Sequence, residues 1–508
     1  MRRGLKERGH QFSSETDTEV LAHLIEDELS RLERLGEDGT RSHLVTAVRL
    51  ALAQVRGAYA IAVLSLDEPT SVVGARQAAP LIVGLGEAEN YLASDIPALL
   101  SKTRRVVRLG EGEIAHLTPA GVSVWDPAGQ RVNTQPVEIE WDQSAAEKGG
   151  YPHFVLKEIN EQPEALRNAL VGRVNRPDSL LAELSNLDLS GINRIVMTAC
   201  GTSSYACMIA KYGFGEWTRL PVEVAIASEF RYSQPVLDEH TLFVAVTQSG
   251  ETADTLAAFE QAKALKARTV AITNSVGSAI TVGADAVLYL QVGPEIGVVA
   301  TKTFSGQLAV LMLLGIHVAR SRGSIGSREA AEIVSQLAST PDAIESALRT
   351  NDEVARIAYS VANVAHLLFL GRGVGYPTAM EGALKLKEIS YIHAEGYPAG
   401  ELKHGPIALL DPSMPILAVA TESRTYEKMM SNIQEVKARG ARVIAIASEG
   451  DEEIRQHVDE VIYVPRVPEI ISPFVNVVPM QLFSYYAAVS RGCDVDQPRN
   501  LAKSVTVE

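Results

Sequence analysis

From about Gly191 onward, short aliphatic and β-branched runs such as IVMT, LFVAV and LLFL alternate with longer stretches whose apolar positions recur every three or four residues. That alternation predicts βαβ units around a parallel sheet. The first part of the chain is patterned differently. TEVLAHLIEDELSRLERLG carries apolar residues at helical spacing, with Thr16 and Glu19 predicting a capping box and Gly36 a stop. A second amphipathic stretch runs from about Thr40 to Gln54. The β-like runs AYAIAVLSL, PLIVGLG, NYLAS, RRVVRL and GVSVW follow, punctuated by the turns GEGE, PAGV and PAGQ. This predicts a mostly antiparallel α+β region over residues 1–140. Residues 141–187 read as an acidic, then helical linker with KGGYPHF as its hinge.

The βαβ region is duplicated. NRIVMTACGTSS parallels HLLFLGRGVGYP, FVAVTQSGET parallels LAVATESRTY, and ADAVLYLQVGPEI parallels VDEVIYVPRVPEI. Gly201 maps onto Gly373 and Glu229 onto Glu401 at one offset. Ser249 onto Ser423, Ala271 onto Ala445, Asp285 onto Asp459 and Glu295 onto Glu469 share another, two residues longer. Chance similarity between apolar segments does not hold register over such a span. Two sister α/β domains are expected, at 188–322 and 355–493, followed by a C-terminal tail, 494–508.

Composition narrows the partners. The 508 residues carry a formal charge of −15, which excludes the basic face that nucleic acid or an anionic membrane requires. Cys200, Cys207 and Cys493 form neither a disulfide framework nor a metal-ligand cluster in sequence, so reduced thiols in a cytoplasmic protein and no metal are expected. The longest uncharged apolar stretch, near Leu308–Ala319, is shorter than the ~20 residues a bilayer needs.

Candidate chemistry lies where strands give way to helices. ACGTSS follows IVMT and TQSGET follows LFVAV. Their hydroxyls, Thr202, Ser203, Thr247, Ser249 and Thr252, together with free N–H groups at helix starts, suit a phosphate. Neither loop holds Lys or Arg, and neither a GxxxxGK[ST] nor a GxGxxG motif occurs. A sugar monophosphate therefore fits better than a nucleoside triphosphate. Simple N-capping by Ser and Thr is the competing reading.

The later half supplies titratable groups. AMEGALKLKEISYIHAEG reads as one helix, on which Glu381, Lys385 and Glu388 share a face. A solvated charged stripe is the plain alternative. The following turn, GELKHGP, adds Glu401, Lys403 and His404, the last suited to proton transfer near neutrality. DVDQPRNLAKSVTVE reads as an ordered segment folding back, which would set the Lys503 amine over a pocket as a Schiff-base candidate. A surface lysine is the alternative there.

Taken together, CGTSS, TQSGETADT, EIGVVATKTF, EGALKLKEISYIHAEGYPAGELKHGP and DQPRNLAKSVTVE resemble the glutamine–fructose-6-phosphate aminotransferases (isomerizing), the glucosamine-6-phosphate synthases, from about Ser14 to Glu508. The resemblance implies an α/β fold of two tandem sugar-isomerase (SIS-type), doubly wound parallel-sheet domains behind a partial N-terminal-nucleophile glutaminase domain. It implies conversion of fructose 6-phosphate to glucosamine 6-phosphate for amino-sugar and cell-wall precursor synthesis, with glutamine or ammonia as nitrogen donor and no cofactor. It places substrate contacts at Thr202, Ser203, Thr247, Gln248, Ser249, Thr252 and Val299, with Thr247 standing where Ser is usual. It makes Glu388 the base between C1 and C2, His404 the ring-opening group supplied by a neighbouring subunit in a homodimer, Lys503 the imine-forming lysine, and Lys385 and Glu381 supporting groups. The alternatives are a fructosamine-6-phosphate deglycase, against which the closing DQPRNLAKSVTVE speaks, and a non-catalytic sugar-phosphate-binding module, against which the charge of −15 speaks.

One departure stands out. The family's glutaminase uses a Cys at position 1 as nucleophile. Here position 1 is Met1, and no Cys precedes Cys200. The expectation is a chain without the nucleophile-bearing start, its glutamine hydrolysis lost, with Asp17 as a stranded remnant of the glutamine site.

Overall fold

The computed structural model describes residues 1–35, 42–77, 79–139, 147–174 and 181–506. They form two units, Met1–Ala146 with Thr506–Glu508, and Glu147–Val505.

The first unit opens with helices α1 (Arg2–Glu7), α2 (Thr18–Leu35) and α3 (His43–Leu52). Strands β1 (Tyr59–Val63), β2 (Val72–Gln77), β3 (Ile82–Leu85), β4 (Asn90–Ala93) and β5 (Arg105–Arg108) follow. Strands β6 (Ile114–Thr118), β7 (Gly121–Trp125), β8 (Arg131–Val132) and β9 (Val137–Glu138) complete it. They build two antiparallel sheets, ordered β1-β2-β6-β7-β8 and β4-β3-β5-β9. Leu24, Leu44 and Val48 of the helices pack on Val73, Ala75 and Ile114.

Two details differ from the sequence reading. The helix after SETD starts at Thr18, and the Glu19 carboxylate reaches back past Thr16 to the backbone N–H groups of Ser13 (2.6 Å) and Ser14 (2.9 Å). The capping carboxylate is the expected one, but its partners lie further upstream, because two adjacent serines offer it N–H and hydroxyl donors at once. Strands β2 and β6 are not among the predicted runs. Arg76 and His116 interrupt their apolar pattern, and Arg76 is buried because its guanidinium donates to Leu109 O (2.9 Å) and pairs with Glu111. The Gly36 stop lies outside the described residues.

The second unit begins with α4 (Phe154–Asn160) and α5 (Gln162–Leu170). Val155, Ile159 and Leu166 of these helices belong to its main core. The first lobe contains β10 (Arg194–Ala199), α6 (Gly201–Thr218), β11 (Val222–Ile226), α7 (Ala227–Phe230), β12 (Thr241–Val246), α8 (Ala253–Ala264), β13 (Arg268–Thr273), β14 (Ala286–Tyr289) and α9 (Lys302–Arg322). Helices α10 (Ser327–Leu348) and α11 (Asn351–Val361) lead to the second lobe. That lobe contains β15 (His366–Gly371), α12 (Gly375–Ser390), β16 (His393–Pro398), β17 (Ile416–Ala420), α13 (Tyr426–Lys437), β18 (Val443–Ser448), β19 (Glu460–Val464) and α14 (Ser472–Ser490).

Both lobes carry a five-stranded, wholly parallel sheet of the same order, β11-β10-β12-β13-β14 and β16-β15-β17-β18-β19. This is the doubly wound α/β fold expected, twice over. Ile209 and Phe214 of α6, Leu311 of α9, Leu386 of α12 and Phe483 of α14 share one apolar core between the sheets. Helix α9 is long and apolar enough to cross a membrane, yet 94% of its apolar window is buried inside the protein. It is the core helix of the first lobe.

The expected single helix AMEGALKLKEISYIHAEG is two elements. Helix α12 ends at Ser390, whose hydroxyl donates to Leu386 O (2.6 Å), and Tyr391 turns the chain in a left-handed conformation (φ 60°). His393–Pro398 then becomes the edge strand β16, paired with β15.

Candidate active site

In a sheet of order 2-1-3-4-5, neighbouring loops diverge at the carboxyl ends of the first and third strands, and ligands bind in that crevice. In the first lobe those strands are β10 and β12. The two Ser/Thr-rich loops singled out from sequence are therefore the two that flank the switch point.

After β10, Gly201 takes a left-handed φ of 51° and α6 starts, with Thr202 and Ser203 in its first turn. Ser203 Oγ accepts from Gln307 Nε2 of α9 (2.9 Å). After β12, Thr247 Oγ1 lies 2.9 Å from Thr252 Oγ1 and accepts the N–H of Gly250 (3.3 Å). Gly250 is at φ 69°, and a Cβ there would lie 1.9 Å from Ser278 Oγ, so both backbone and space demand glycine. Gln248 is pinned by its carbonyl, which accepts from Asn274 N (3.0 Å) and Thr273 Oγ1 (3.2 Å). Ser249 Oγ accepts the hydroxyl hydrogen of Ser504 (2.9 Å), and Ala253 N donates to Val505 O (3.1 Å). The C-terminal segment is thus laid along the second loop.

Helix α12 of the later lobe brings its acidic face against the first loop. Lys385 Nζ donates to Thr202 Oγ1 (2.9 Å) and lies 3.4 Å from Glu381 Oε1 and 2.7 Å from Glu388 Oε2. Thr202 Oγ1 also donates to Glu381 Oε1 (3.2 Å). The face is not a solvated stripe: the side chains of Glu381 and Lys385 are 0% and 2% exposed, and Glu388 is 21% exposed. Burial, reinforced by the nearby Glu388 charge, pushes the Glu381 carboxyl up to about 7 against the pull of Lys385. Burial alone would depress the Lys385 ammonium, but the flanking carboxylates outweigh it and hold it above the ordinary lysine value. With Glu381 protonated, one ammonium faces one carboxylate and the buried group is neutral. Of the three, only Glu388 reaches outward.

Lys503 lies in a second polar cluster of the same unit. Its Nζ donates to Glu295 Oε2 (2.6 Å) and Gly297 O (2.8 Å). Glu295 also accepts from Thr301 N (2.8 Å), Thr303 N (3.1 Å) and Thr303 Oγ1 (2.7 Å). Burial raises its pKa, but these donors and Lys503 outweigh that and keep it a carboxylate. Glu158 accepts from the N–H groups of Ile296 (2.5 Å) and Gly297 (3.1 Å), and burial beside Glu295 pushes its carboxyl up. Together Glu295 and Glu158 fix the EIGVVATKTF loop, on which the Val299 side chain is buried. Neither acid is among the site residues that the sequence reading singles out. For Glu295 the signal is the duplication: its counterpart Glu469 likewise accepts a backbone N–H, from Arg424 (3.2 Å).

His404 stands apart from both clusters, exposed on a 3-10 turn, Ala399–His404, with neighbouring Lys403 paired to Glu435 (2.7 Å). Asp17 is exposed just ahead of α2 in the first unit. The three cysteines are free, and burial pushes the Cys200 and Cys207 thiols up.

Comparison with known proteins agrees with the fold. The SIS domain family matches residues 188–317 and 360–491, more than half the chain. A glutamine–fructose-6-phosphate aminotransferase [isomerizing] of Thermus thermophilus is 49% identical over 508 residues, covering 100% of this chain and 82% of the relative. Its namesake in Methanosarcina mazei is 47% identical, covering 99% and 82%. The solved C-terminal domain of glucosamine-fructose-6-phosphate aminotransferase from Francisella tularensis superposes with a TM-score of 0.64 at 38% identity, covering 69% of this chain and 100% of that one. The chain, with its two SIS lobes and the Thr202–Lys385–Glu388 cluster between them, belongs to the family of isomerizing glutamine–fructose-6-phosphate aminotransferases.

Proposed function

We infer that the chain is an enzyme that converts fructose 6-phosphate to glucosamine 6-phosphate. The carrying observation is Glu388, held 2.7 Å from buried Lys385 beside the hydroxyl-rich loops of the switch point. In this reading the phosphate sits against Thr202, Ser203, Thr247, Gln248, Ser249 and Thr252, held by hydroxyls and helix-start N–H groups without a basic side chain. That leaves the carbonyl end of the sugar toward Glu388.

Isomerisation next to a carbonyl or imine requires one group to take a proton from C1 and return it to C2. When the C1–H bond breaks, its electron pair forms the C1=C2 bond while the C2=N pair moves onto nitrogen, which takes a proton. Glu388 takes that proton and gives it back at C2. Lys385 keeps the carboxylate oriented, and the fully buried Glu381 anchors Lys385 and Thr202 in turn. Lys503 is the imine-forming amine: its nitrogen bonds to C2 of the open ketose and water leaves; ammonia then adds to C2 and the C2–Nζ bond breaks, which frees Lys503 and leaves the C2 imine that is isomerised. To bond to C2, Lys503 must exchange Glu295 and Gly297 for the substrate. His404 assists ring opening in the site of a second subunit, so the working enzyme is a homodimer. The three free thiols fit a cytoplasmic setting.

Nitrogen comes from glutamine or from ammonia. Residues 1–199 hold no thiol, so the test supplies ammonium. The 508-residue chain, given fructose 6-phosphate and ammonium, is expected to release glucosamine 6-phosphate detectable by mass spectrometry. Unchanged substrate, with fructoselysine 6-phosphate cleaved instead, would replace this reading with a deglycase.

A further inference from the structure

Far from these loops in sequence, the first unit gathers a second group of chemistry-bearing side chains. His10 follows α1, and His23 and Glu26 stand one turn apart on α2. His10 Nδ1 is 3.0 Å from His23 Nδ1, Glu26 Oε2 is 3.3 Å from His10 Nδ1, and Glu26 Oε2 is 3.4 Å from His23 Nδ1. The three atoms form a nearly equilateral triangle. An ion bound at about 2.0–2.1 Å in tetrahedral geometry sets its ligand atoms roughly 3.3–3.4 Å apart, and at right angles roughly 2.9 Å apart. The observed edges fall across that range.

Two further observations point to a ligand rather than to chance packing. His10 Nε2 lies 2.7 Å from Asp27 Oδ1, and Asp27 in turn accepts from Arg8 Nε (2.8 Å). That carboxylate fixes the ring's N–H on Nε2 and leaves the Nδ1 lone pair facing His23 and Glu26, the outer-shell arrangement of metal-bound imidazoles. The rings are also sheltered: the His10 and His23 side chains are 11% and 17% exposed, and Phe12 stands edge-on to His23 at 4.5 Å. Glu26 is 66% exposed and forms the open side. With neutral imidazoles, Glu26, Asp27 and Arg8 leave the group with a net negative charge, which a dication reverses.

We propose that His10 Nδ1, His23 Nδ1 and Glu26 Oε2 form a binding site for a divalent transition ion of the zinc class, with Asp27 as the positioning residue. Two nitrogens and one carboxylate oxygen suit such an ion better than calcium or magnesium, which prefer all-oxygen shells. Water completes the shell on the Glu26 side. The ion ties the segment after α1 to α2.

The test uses the untagged full chain, stripped with a chelator and titrated with Zn²⁺ against a chromophoric competitor. Co²⁺ reports the coordination geometry through its visible bands. Expected is one tight ion per chain, with affinity weakened at least tenfold in H10Q and in H23Q and roughly 10- to 100-fold in D27N. E26Q, at an exposed position, is expected to weaken binding while leaving the thermal melt of the stripped chain unchanged, and carries the test if a histidine variant misfolds. The exposed His366–His393 pair (Nδ1 to Nδ1 3.2 Å) is the internal control, and H366Q is expected to bind as the parent does. Binding that survives in E26Q and H23Q, or that is lost in H366Q instead, would overturn the proposal.

Discussion

Glu381 offers the sharpest thermodynamic handle. Glu381→Gln keeps the side chain's size and its carbonyl acceptor for Thr202 but removes the titrating group. In the folded chain burial pushes this carboxyl up to about 7, against an ordinary value of 4.5. Between those values the folded state holds a proton that the unfolded state has released. The contribution is therefore fully present below about 4.5 and is lost as pH rises through about 7. At 1.36 kcal/mol per unit the excursion approaches about 3 kcal/mol, with Lys385 at 3.4 Å setting how much of the charge is compensated. The amide of the variant does not titrate and loses nothing over the same range, so the variant should gain on the parent as pH rises. With an unfolding entropy of about 2 cal/mol/K per residue for the unit Glu147–Val505, that is a relative shift in Tm of roughly 4 °C. Calorimetry of both proteins at pH 4.5, 7.0 and 8.5 reads it directly. Titrating groups remote from Glu381 are common to the two proteins and cancel in the difference, whereas Lys385, 3.4 Å away, is coupled to it and does not. A Tm difference that is the same at all three pH values would refute the claim that Glu381 carries a proton near neutrality.

Three further outcomes follow from the same geometry. Lys503→Met leaves the buried Glu295 carboxylate without its cation and is expected to cost about 3–5 kcal/mol in urea unfolding as well as amination; a variant that aminates at the parental rate would remove Lys503 from the chemistry. Thr247→Ala removes one hydroxyl, worth about 1 kcal/mol, and should raise KM for fructose 6-phosphate about fivefold with kcat little changed; a fall in kcat alone would move the phosphate elsewhere. Mixing an inactive His404→Asn subunit with an inactive Glu388→Gln subunit should restore turnover, since one of the two shared sites then holds both wild-type groups; no recovery in verified mixed dimers would place His404 within its own chain's site or outside the reaction.

Where local pattern and tertiary environment agree, the sequence is readable. The register held between the two halves, with one shift of two residues, anticipates two sheets of identical strand order, because fully buried parallel strands such as TLFVAV and VIAIAS leave a continuous apolar signature. The hydroxyl-bearing loops are legible because strand–turn–helix junctions mark the switch point. Other features are set by distant partners. Arg76 belongs in β2 only because Leu109 O and Glu111 receive its guanidinium. The helical pattern through EISYIHAEG fails at Tyr391 because β15 offers His393–Pro398 a sheet edge. His10, His23 and Glu26 lie at no familiar metal-ligand spacing, and only the fold of α2 against the preceding segment brings their ligating atoms together.

The central claim is that Glu388 moves a proton between adjacent carbons of a phosphorylated ketose bound at the Ser/Thr loops. Proton NMR of fructose 6-phosphate in D₂O with ammonium, comparing the parent with Glu388→Gln, tests it most directly. The account predicts that with the parent carbon 2 of the product carries the hydrogen lost from carbon 1, or deuterium to the extent that the Glu388 carboxyl exchanges with D₂O before returning it, and that the variant delivers neither at an unchanged substrate Kd. Delivery by the variant at the parental rate, or its loss together with binding, would contradict it.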